Sequence, residues 1–199
     1  MADIFPSERE IVGSAVDKRK AEFSTGRVLV AQSLHLLGVP RQPVLKGSKN
    51  EPLWPTGLVG SITHTGEICI VAVARESVCG GVGVDVERCD ANVSELAHLI
   101  LSPGEAERSM AQSGRHRDDT VRLTFSAKES VFKAVFVHLE RFIEFEEVSI
   151  EFDHRLQSFI AAATGDERLD TLLRSGKGGY VLQDDLIVTN FFLPGAPIA

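Results

Sequence analysis

The chain is poor in the features that mark several large classes of protein. It has three cysteines in 199 residues, Cys69, Cys79 and Cys89, and no Cys-x-x-Cys pair. A structural zinc site needs closer spacing, so none is expected. An odd cysteine count fits a chain kept reduced in the cytoplasm, and all three thiols are expected to serve as small buried apolar side chains. Long hydrophobic runs are missing too. The longest, Ile68–Ala74, has seven residues, against the roughly 20 that a membrane-spanning helix needs. The first ten residues carry Asp3, Glu8 and Glu10 and too few apolar side chains for a secretory signal. Nor is there an excess of positive charge: 28 Asp and Glu outnumber 21 Lys and Arg, a net charge of −7. Nucleic-acid binding needs a basic face, so it is not expected. No Walker A lysine motif occurs, and Gly80-Gly81-Val82-Gly83 has the wrong spacing for a dinucleotide fingerprint. The six histidines show no metal-ligand spacing.

What is there is an ordinary globular composition, 43% hydrophobic and 25% charged. The length suits one substantial domain or two small, closely packed lobes. Residues 7–37 read as helix in two parts. Ser7 and Glu10 have capping-box spacing at the start, Val30, Leu34 and Leu37 recur at helical spacing, and Gly38 is the stop. Lys18, Arg19, Lys20 and Arg27 place four cations within ten positions, either a solvated helix face or a set aimed at phosphates. Residues 39–60, rich in proline and glycine, predict a long ordered loop holding Lys46 and Lys49 and anchored by Leu45, Leu53 and Trp54. Ser61–Thr65 predicts a turn ahead of a buried strand at 68–74. Residues 92–112 predict one or two helices broken at Ser102-Pro103-Gly104-Glu105, and 114–119 a charged loop. Residues 120–139 give the strongest helix of the second half, with Val131, Val135 and Leu139 as its apolar stripe. Segments 148–152, 158–163 and 180–192 (the last in one piece or two) predict antiparallel strands, and the tail after Pro194 is expected to fray. Helix followed by strands in each half predicts an α+β fold.

The chemistry gathers at Val82–Glu87, Val-Gly-Val-Asp-Val-Glu. In a strand, Asp85 and Glu87 share one face and Val84 and Val86 the other. Two carboxylates on one face repel unless a cation sits between them. A hard divalent ion suits that place, since Mg²⁺ takes oxygen ligands from one or two carboxylates and from substrate phosphates. Glu129, on the predicted helix, would complete such a set, and Lys133 is its i,i+4 neighbour. Each residue also has an ordinary reading. Ser126 and Glu129 have capping-box spacing, Glu129 and Lys133 suit a surface pair, and His64 suits a hydrogen-bonded turn.

Three blocks in order carry more than any one of them: Gly60-Ser61-Ile62-Thr63-His64, Gly83-Val84-Asp85-Val86-Glu87, and Phe125-Ser126-Ala127-Lys128-Glu129-Ser130-Val131-Phe132-Lys133-Ala134. This triple signature resembles the two-lobed 4′-phosphopantetheinyl transferases that modify carrier proteins of siderophore, nonribosomal peptide and polyketide synthesis. Lys18–Arg27 and Trp54–Ser61 are further similar to the branch containing enterobactin synthetase component D. The similarity spans about residues 15–135, and the C-terminal strands match only in kind. Ser130 and Phe132 depart from the usual Ala and Tyr or Trp, both with compatible size.

The resemblance implies two similar α+β lobes in pseudo-twofold arrangement, residues 1–86 and 87–199, with coenzyme A in the cleft between them. It implies transfer of the phosphopantetheine arm to a serine of an apo acyl, peptidyl or aryl carrier protein, with release of adenosine 3′,5′-bisphosphate. Asp85, Glu87 and Glu129 match the Mg²⁺ ligands, with Mn²⁺ an alternative. His64 matches a group at the 3′-phosphate and Lys133 one at the pyrophosphate. Arg19, Arg27 and Lys46 match basic residues on coenzyme A phosphates, and Ser61 and Thr63 lie in the same binding turn. Glu129 and Lys133 are the expected catalytic pair, with Glu129 taking the serine proton itself or orienting a water held by the metal. Lys128 either contacts phosphate or points to solvent. Because the chain is acidic, docking of an acidic carrier is expected to use a local patch, with Arg115, His116, Arg117 and the apolar side chains after Phe132 as candidates. A monomer is expected, because one chain supplies both halves of the cleft. The competing reading is a non-catalytic relative that binds coenzyme A or a carrier protein; retention of all three carboxylates and Lys133 argues against it. A metal-dependent phosphodiesterase would show more histidine ligands.

Overall fold

The computed structural model describes residues 4–89, 94–110, 115–139 and 141–195. Its first half sets two helices, α1 (Pro6–Ile11) and α2 (Asp17–Leu36), against small antiparallel hairpins. Residue spacing explains α2. Val30 and Leu34 fall on one face and pack with Val44, Leu58 and the half-buried Leu37, Trp54, Ile62, Val71 and Val73. Gly38, at φ +68°, stops the helix in a conformation that side-chain-bearing residues resist. The cap of α1 differs from expectation. Phe5 is the N-cap, and its amide donates to the Glu8 carboxylate at 3.0 Å, so the first turn is set two residues earlier than Ser7 and Glu10 suggested.

The expected loop at 39–60 contains a short hairpin, β1 (Leu45–Lys46) with β2 (Pro52–Leu53), and the start of β3 (Leu58–Thr65). Leu45 and Leu53 are not its anchors, being 37% and 49% exposed; Val44, fully buried, is. β3 also replaces the turn expected at 61–65 and pairs along its whole length with β4 (Ile68–Arg75). Of the cysteines only Cys79 is buried; Cys69 and Cys89 are partly exposed, and all three are free.

The second half is one antiparallel sheet covered on one face by helices. Its strands are β5 (Cys79–Arg88), β6 (Val148–Asp153), β7 (Ser158–Ala163), β8 (Lys177–Gln183) and β9 (Leu186–Pro194), in the order β5-β9-β8-β7-β6. Residues 94–110 form a 3-10 turn (Ser94–Leu96), α3 (Ala97–Ile100) and α4 (Pro103–Met110), broken at the expected place. α5 runs from Arg115 to Leu139, so residues 115–119 are helix rather than loop. α6 (Glu167–Ser175) was not anticipated, although Asp166 caps it by accepting the Leu169 amide at 2.9 Å. The core joins Leu123, Ala127, Val131 and Val135 of α5 and Leu169 and Leu173 of α6 to Phe159, Tyr180, Ile187 and Phe191 of the sheet. The frayed tail expected after Pro194 falls mostly on residues 196–199, outside the described part. Among the described residues no helix is long and apolar enough to cross a membrane.

β5 is where the halves meet. It pairs with β9 on one edge, and Ser61 of β3 bonds the backbone amide of its Val84 at 3.1 Å. Residues 79–86 are buried on both faces, so this is no half-exposed strand. Gly83 and Gly81 allow it. A Cβ on Gly83 would overlap the Ser130 carbonyl oxygen, and one on Gly81 that of Ala134. Two missing side chains let the α5 backbone lie directly on β5, which brings the strand's acids beside the helix's Glu129 and Lys133.

Candidate active site

Asp85 is the centre of the site and is 4% exposed. A buried carboxylate needs partners for both oxygens. Oδ1 accepts from Lys133 Nζ at 2.7 Å and from the Thr63 hydroxyl at 3.0 Å. Oδ2 accepts from the Ser126 hydroxyl at 2.9 Å. Ser126 therefore sits in mid-helix as a ligand of Asp85 and does not cap α5. Behind it, the Thr189 hydroxyl of β9, directly across from Asp85, donates to the Ser126 carbonyl at 2.8 Å. Neither Ser126 nor Thr189 was singled out in this role, and only the cross-strand register reveals Thr189.

Lys133 reaches from α5 to Asp85, to the Val84 carbonyl at 3.3 Å and to Glu129 at 3.9 Å. Burial pushes the Glu129 carboxyl up, Lys133 pulls it back, and the Asp85 charge adds to the rise. Glu87 is pushed up to about 7, by burial first and then by Asp85, with Glu129 adding and Lys133 opposing. The three carboxylates thus share one region whose negative charge a single ammonium does not balance. That donor set, all oxygen and net negative, fits a hard divalent cation. Among the described residues no three acidic, His or Cys side chains already converge on one point; Lys133 meets the charge of Asp85 instead.

The raised Glu87 carboxyl has a consequence for stability. The folded state binds this proton more tightly than the unfolded chain, whose carboxyl titrates near 4.5. Its contribution is therefore fully present below that value and lost as pH rises through about 7. In chelator, urea unfolding is expected to show stability falling between pH 5 and 8, and Glu87→Gln is expected to flatten that slope. An unchanged slope in the variant would assign it to other groups.

The basic residues assemble in a second place. Arg19, Arg27, Lys46 and His64 line one cleft of about 520 Å³, between α2, β1 and β3, together with Glu22, Phe23 and Ile62. Arg19 Nη1 lies 2.7 Å from His64 Nε2. A guanidinium only donates, so Nε2 accepts. β3 links the two places by alternation: Ile62 and His64 face this cleft, while Ser61 and Thr63 face β5. Ser61 and Thr63, expected in a coenzyme-binding turn, spend their hydroxyls on the Val84 backbone and on Asp85. A neighbouring cleft of about 580 Å³ holds Lys133 with the apolar Leu53, Trp54, Phe132, Phe136 and Phe142, and shares Asn50, Pro52 and Ile62 with the basic one.

Lys128 contacts neither phosphate nor solvent. It is 2% exposed, and its Nζ donates to Glu105 at 2.7 Å and to the carbonyls of Ile100 and Phe145 at 2.8 Å. The side chains of Arg115, His116 and Arg117 lie outside the described part of the structure.

This arrangement, a carboxylate cluster with a lysine beside a basic cleft, is that of an enzyme class handling phosphate esters. The chain belongs to the 4′-phosphopantetheinyl transferase superfamily: the model of that superfamily matches residues 81–186, and the model of the 4′-phosphopantetheinyl transferase N-terminal domain matches residues 7–74. It is similar to 4′-phosphopantetheinyl transferase Svp of Streptomyces mobaraensis, at 34% identity over 94% of this chain and 77% of that one. It is also similar to 4′-phosphopantetheinyl transferase PptT of Mycobacterium tuberculosis, at 37% identity over 74% of this chain and 65% of that one. Enterobactin synthase component D of Salmonella typhi matches at 39% identity over 61% of this chain and 50% of that one. The chain thus spans between half and about three quarters of the length of these relatives. The expected α+β fold and the expected family both hold.

Proposed function

We propose that the protein transfers the 4′-phosphopantetheine arm of coenzyme A to a serine hydroxyl of an apo acyl, peptidyl or aryl carrier protein. The serine oxygen forms a bond to the phosphorus that bears pantetheine. The bond from that phosphorus to the bridging oxygen breaks, and adenosine 3′,5′-bisphosphate leaves. The observation that carries this reading is the meeting of Arg19, Arg27, Lys46 and His64 in one cleft that abuts the cleft of Lys133. Cations in the first would hold the bisphosphate end, and Lys133 would stabilise charge building on the leaving group. Glu129, 3.9 Å from Lys133, is the group for the serine proton, which it would take directly or through a water it orients.

Asp85, Glu87 and Glu129 would hold Mg²⁺, and Mn²⁺ would suit the same oxygens. When bound, the ion supplies neutralisation of the pyrophosphate charge. The boundary between residues 86 and 87 divides the chain into the two lobes of this reading and falls inside β5. The apolar cleft beside Lys133, with Phe132, Phe136 and Phe142, suits a carrier that docks by a local patch despite the chain's net charge of −7. The relative named for enterobactin supports carriers of siderophore synthesis, or of nonribosomal peptide or polyketide synthesis, as the substrate class. A monomer working in the cytoplasm fits three free cysteines and one chain supplying both walls.

The test is intact mass spectrometry. Protein, coenzyme A, Mg²⁺ and a panel of apo carriers are expected to give a gain of one phosphopantetheine arm on at least one carrier. No gain on any of them would leave only a binding role.

A further inference from the structure

We propose that Glu8 is a positioning residue for the basic cleft. Its buried carboxylate fixes Arg27 and the strand that carries Lys46, and so sets the spacing of two cations that receive coenzyme phosphates. The inference rests on the coenzyme A reading above.

Glu8 is 3% exposed. A carboxylate taken out of water is costly unless its oxygens are paired. Oε2 accepts the Phe5 amide at 3.0 Å, which is all that capping α1 requires. Oε1 does something a cap does not need. It accepts the Val44 amide at 2.9 Å and lies 3.6 Å from Arg27 Nε. Val44 is fully buried and directly precedes Leu45–Lys46. One side chain therefore ties α1, α2 and the base of β1 together behind the cleft.

Arg27 is built to be held from behind. It is 8% exposed, with its guanidinium carbon 4.4 Å from the centre of the Phe23 ring, and its Nε has no hydrogen-bond partner among the described residues. The charge of Glu8 is the nearest compensation for that buried nitrogen. Burial weakens the hold of Arg27 on its proton, as does the neighbouring Arg19, and Glu8 opposes both. Arg19 and Arg27 repel each other across the cleft, where Glu22 already pairs with Arg19 at 3.5 Å. A buried counter-charge behind Arg27 holds the guanidinium in place at a cost already met in folding, and less freedom is lost on binding.

The test is calorimetric binding of adenosine 3′,5′-bisphosphate, with transfer kinetics alongside. Glu8→Gln keeps the shape and removes the charge. It is expected to raise the Kd for the bisphosphate and the KM for coenzyme A by about tenfold, the scale of one charge-assisted hydrogen bond. KM is expected to rise much more than kcat falls, with KM for the carrier unmoved. The effect is expected to shrink in an Arg27→Ala background to the part carried through Val44 and Lys46, whereas a general structural role would leave it undiminished. Glu8→Asp, which keeps the charge and shortens the reach, is measured in the same way if Glu8→Gln does not fold. A folded variant with wild-type bisphosphate affinity overturns the inference, as does a loss that persists undiminished without Arg27. Wild-type protein that binds no bisphosphate overturns the coenzyme reading itself and this inference with it.

Discussion

Glu129→Gln is expected to cut transfer to a carrier protein by about 10²–10⁴-fold, the usual contribution of a positioned general base. Glutamine keeps the volume and polarity of the side chain and removes both the proton acceptor and the negative charge. Folding is expected to survive. Burial already disfavours the ionised carboxyl of Glu129, so a neutral replacement relieves the folded state. The side chain is 28% exposed and its ion pair with Lys133 is long at 3.9 Å. Lys133→Ala would be a poorer probe, because it also strips a partner from the buried Asp85. Single-turnover mass spectrometry of carrier modification, with a thermal melt of the same preparation, checks both halves of the expectation. A folded variant with near-normal turnover would remove Glu129 from proton transfer and from any essential part in holding a metal.

The candidate site groups were legible because their spacing is local. Alternation placed Asp85 and Glu87 on one face, and four-residue spacing placed Glu129 beside Lys133. What joins these pairs is not local. Asp85 depends on Thr63, Ser126 and Lys133, which lie 22, 41 and 48 positions away. Ser126 at capping-box spacing looked like a helix start, because a serine three residues before a glutamate has that meaning only at the end of a helix. α5 had begun eleven positions earlier, at Arg115, through the charged stretch 115–119 that its sequence presents as a loop. The helix runs through that stretch because its apolar face further on packs against the sheet.

The same distinction runs through the fold. Helices with an apolar stripe, α2 and α5, were placed by periodicity. β3 was taken for a turn since Ser61, Thr63 and His64 are polar, yet all three are strand residues: the hydroxyls of Ser61 and Thr63 bond β5, and His64 faces the basic cleft. Ser61 and Thr63 are buried polar residues satisfied by β5, and a pattern built on apolar burial misreads them. α6 was missed although Leu169 and Leu173 are both fully buried at i,i+4 spacing behind the Asp166 cap. Only two such residues, in a segment of nine, make a weak signal.

Lys128, set between two readings that both proved wrong, is expected to carry one of the largest stability effects in the chain. Its pair with Glu105 is dry, the two side chains being 1% and 4% exposed. Burial weakens the hold of Lys128 on its proton and the Glu105 charge restores it. Glu105 also accepts the Ser102 amide and the Ile150 amide, each at 2.7 Å. Glu105→Ala therefore leaves a buried ammonium and two buried amides without their acceptor. Removing one partner of such a pair costs about 3–5 kcal/mol. For a chain of this length that corresponds to a fall in Tm of about 10 °C. Lys128→Met is expected to cost less, because the carboxylate keeps both amides. The double variant Glu105→Gln, Lys128→Met is expected to recover most of the Glu105→Ala loss, since it leaves no unpaired charge. Thermal and urea unfolding of the three variants decide the matter, and a Glu105→Ala protein melting with the wild type would show that the pair contributes nothing net. The result bears on catalysis as well. Lys128 precedes Glu129 in α5 and bonds the Phe145 carbonyl. Phe145 and Glu129 line the same small cleft. Lys128 thus ties that wall to the helix turn that carries Glu129.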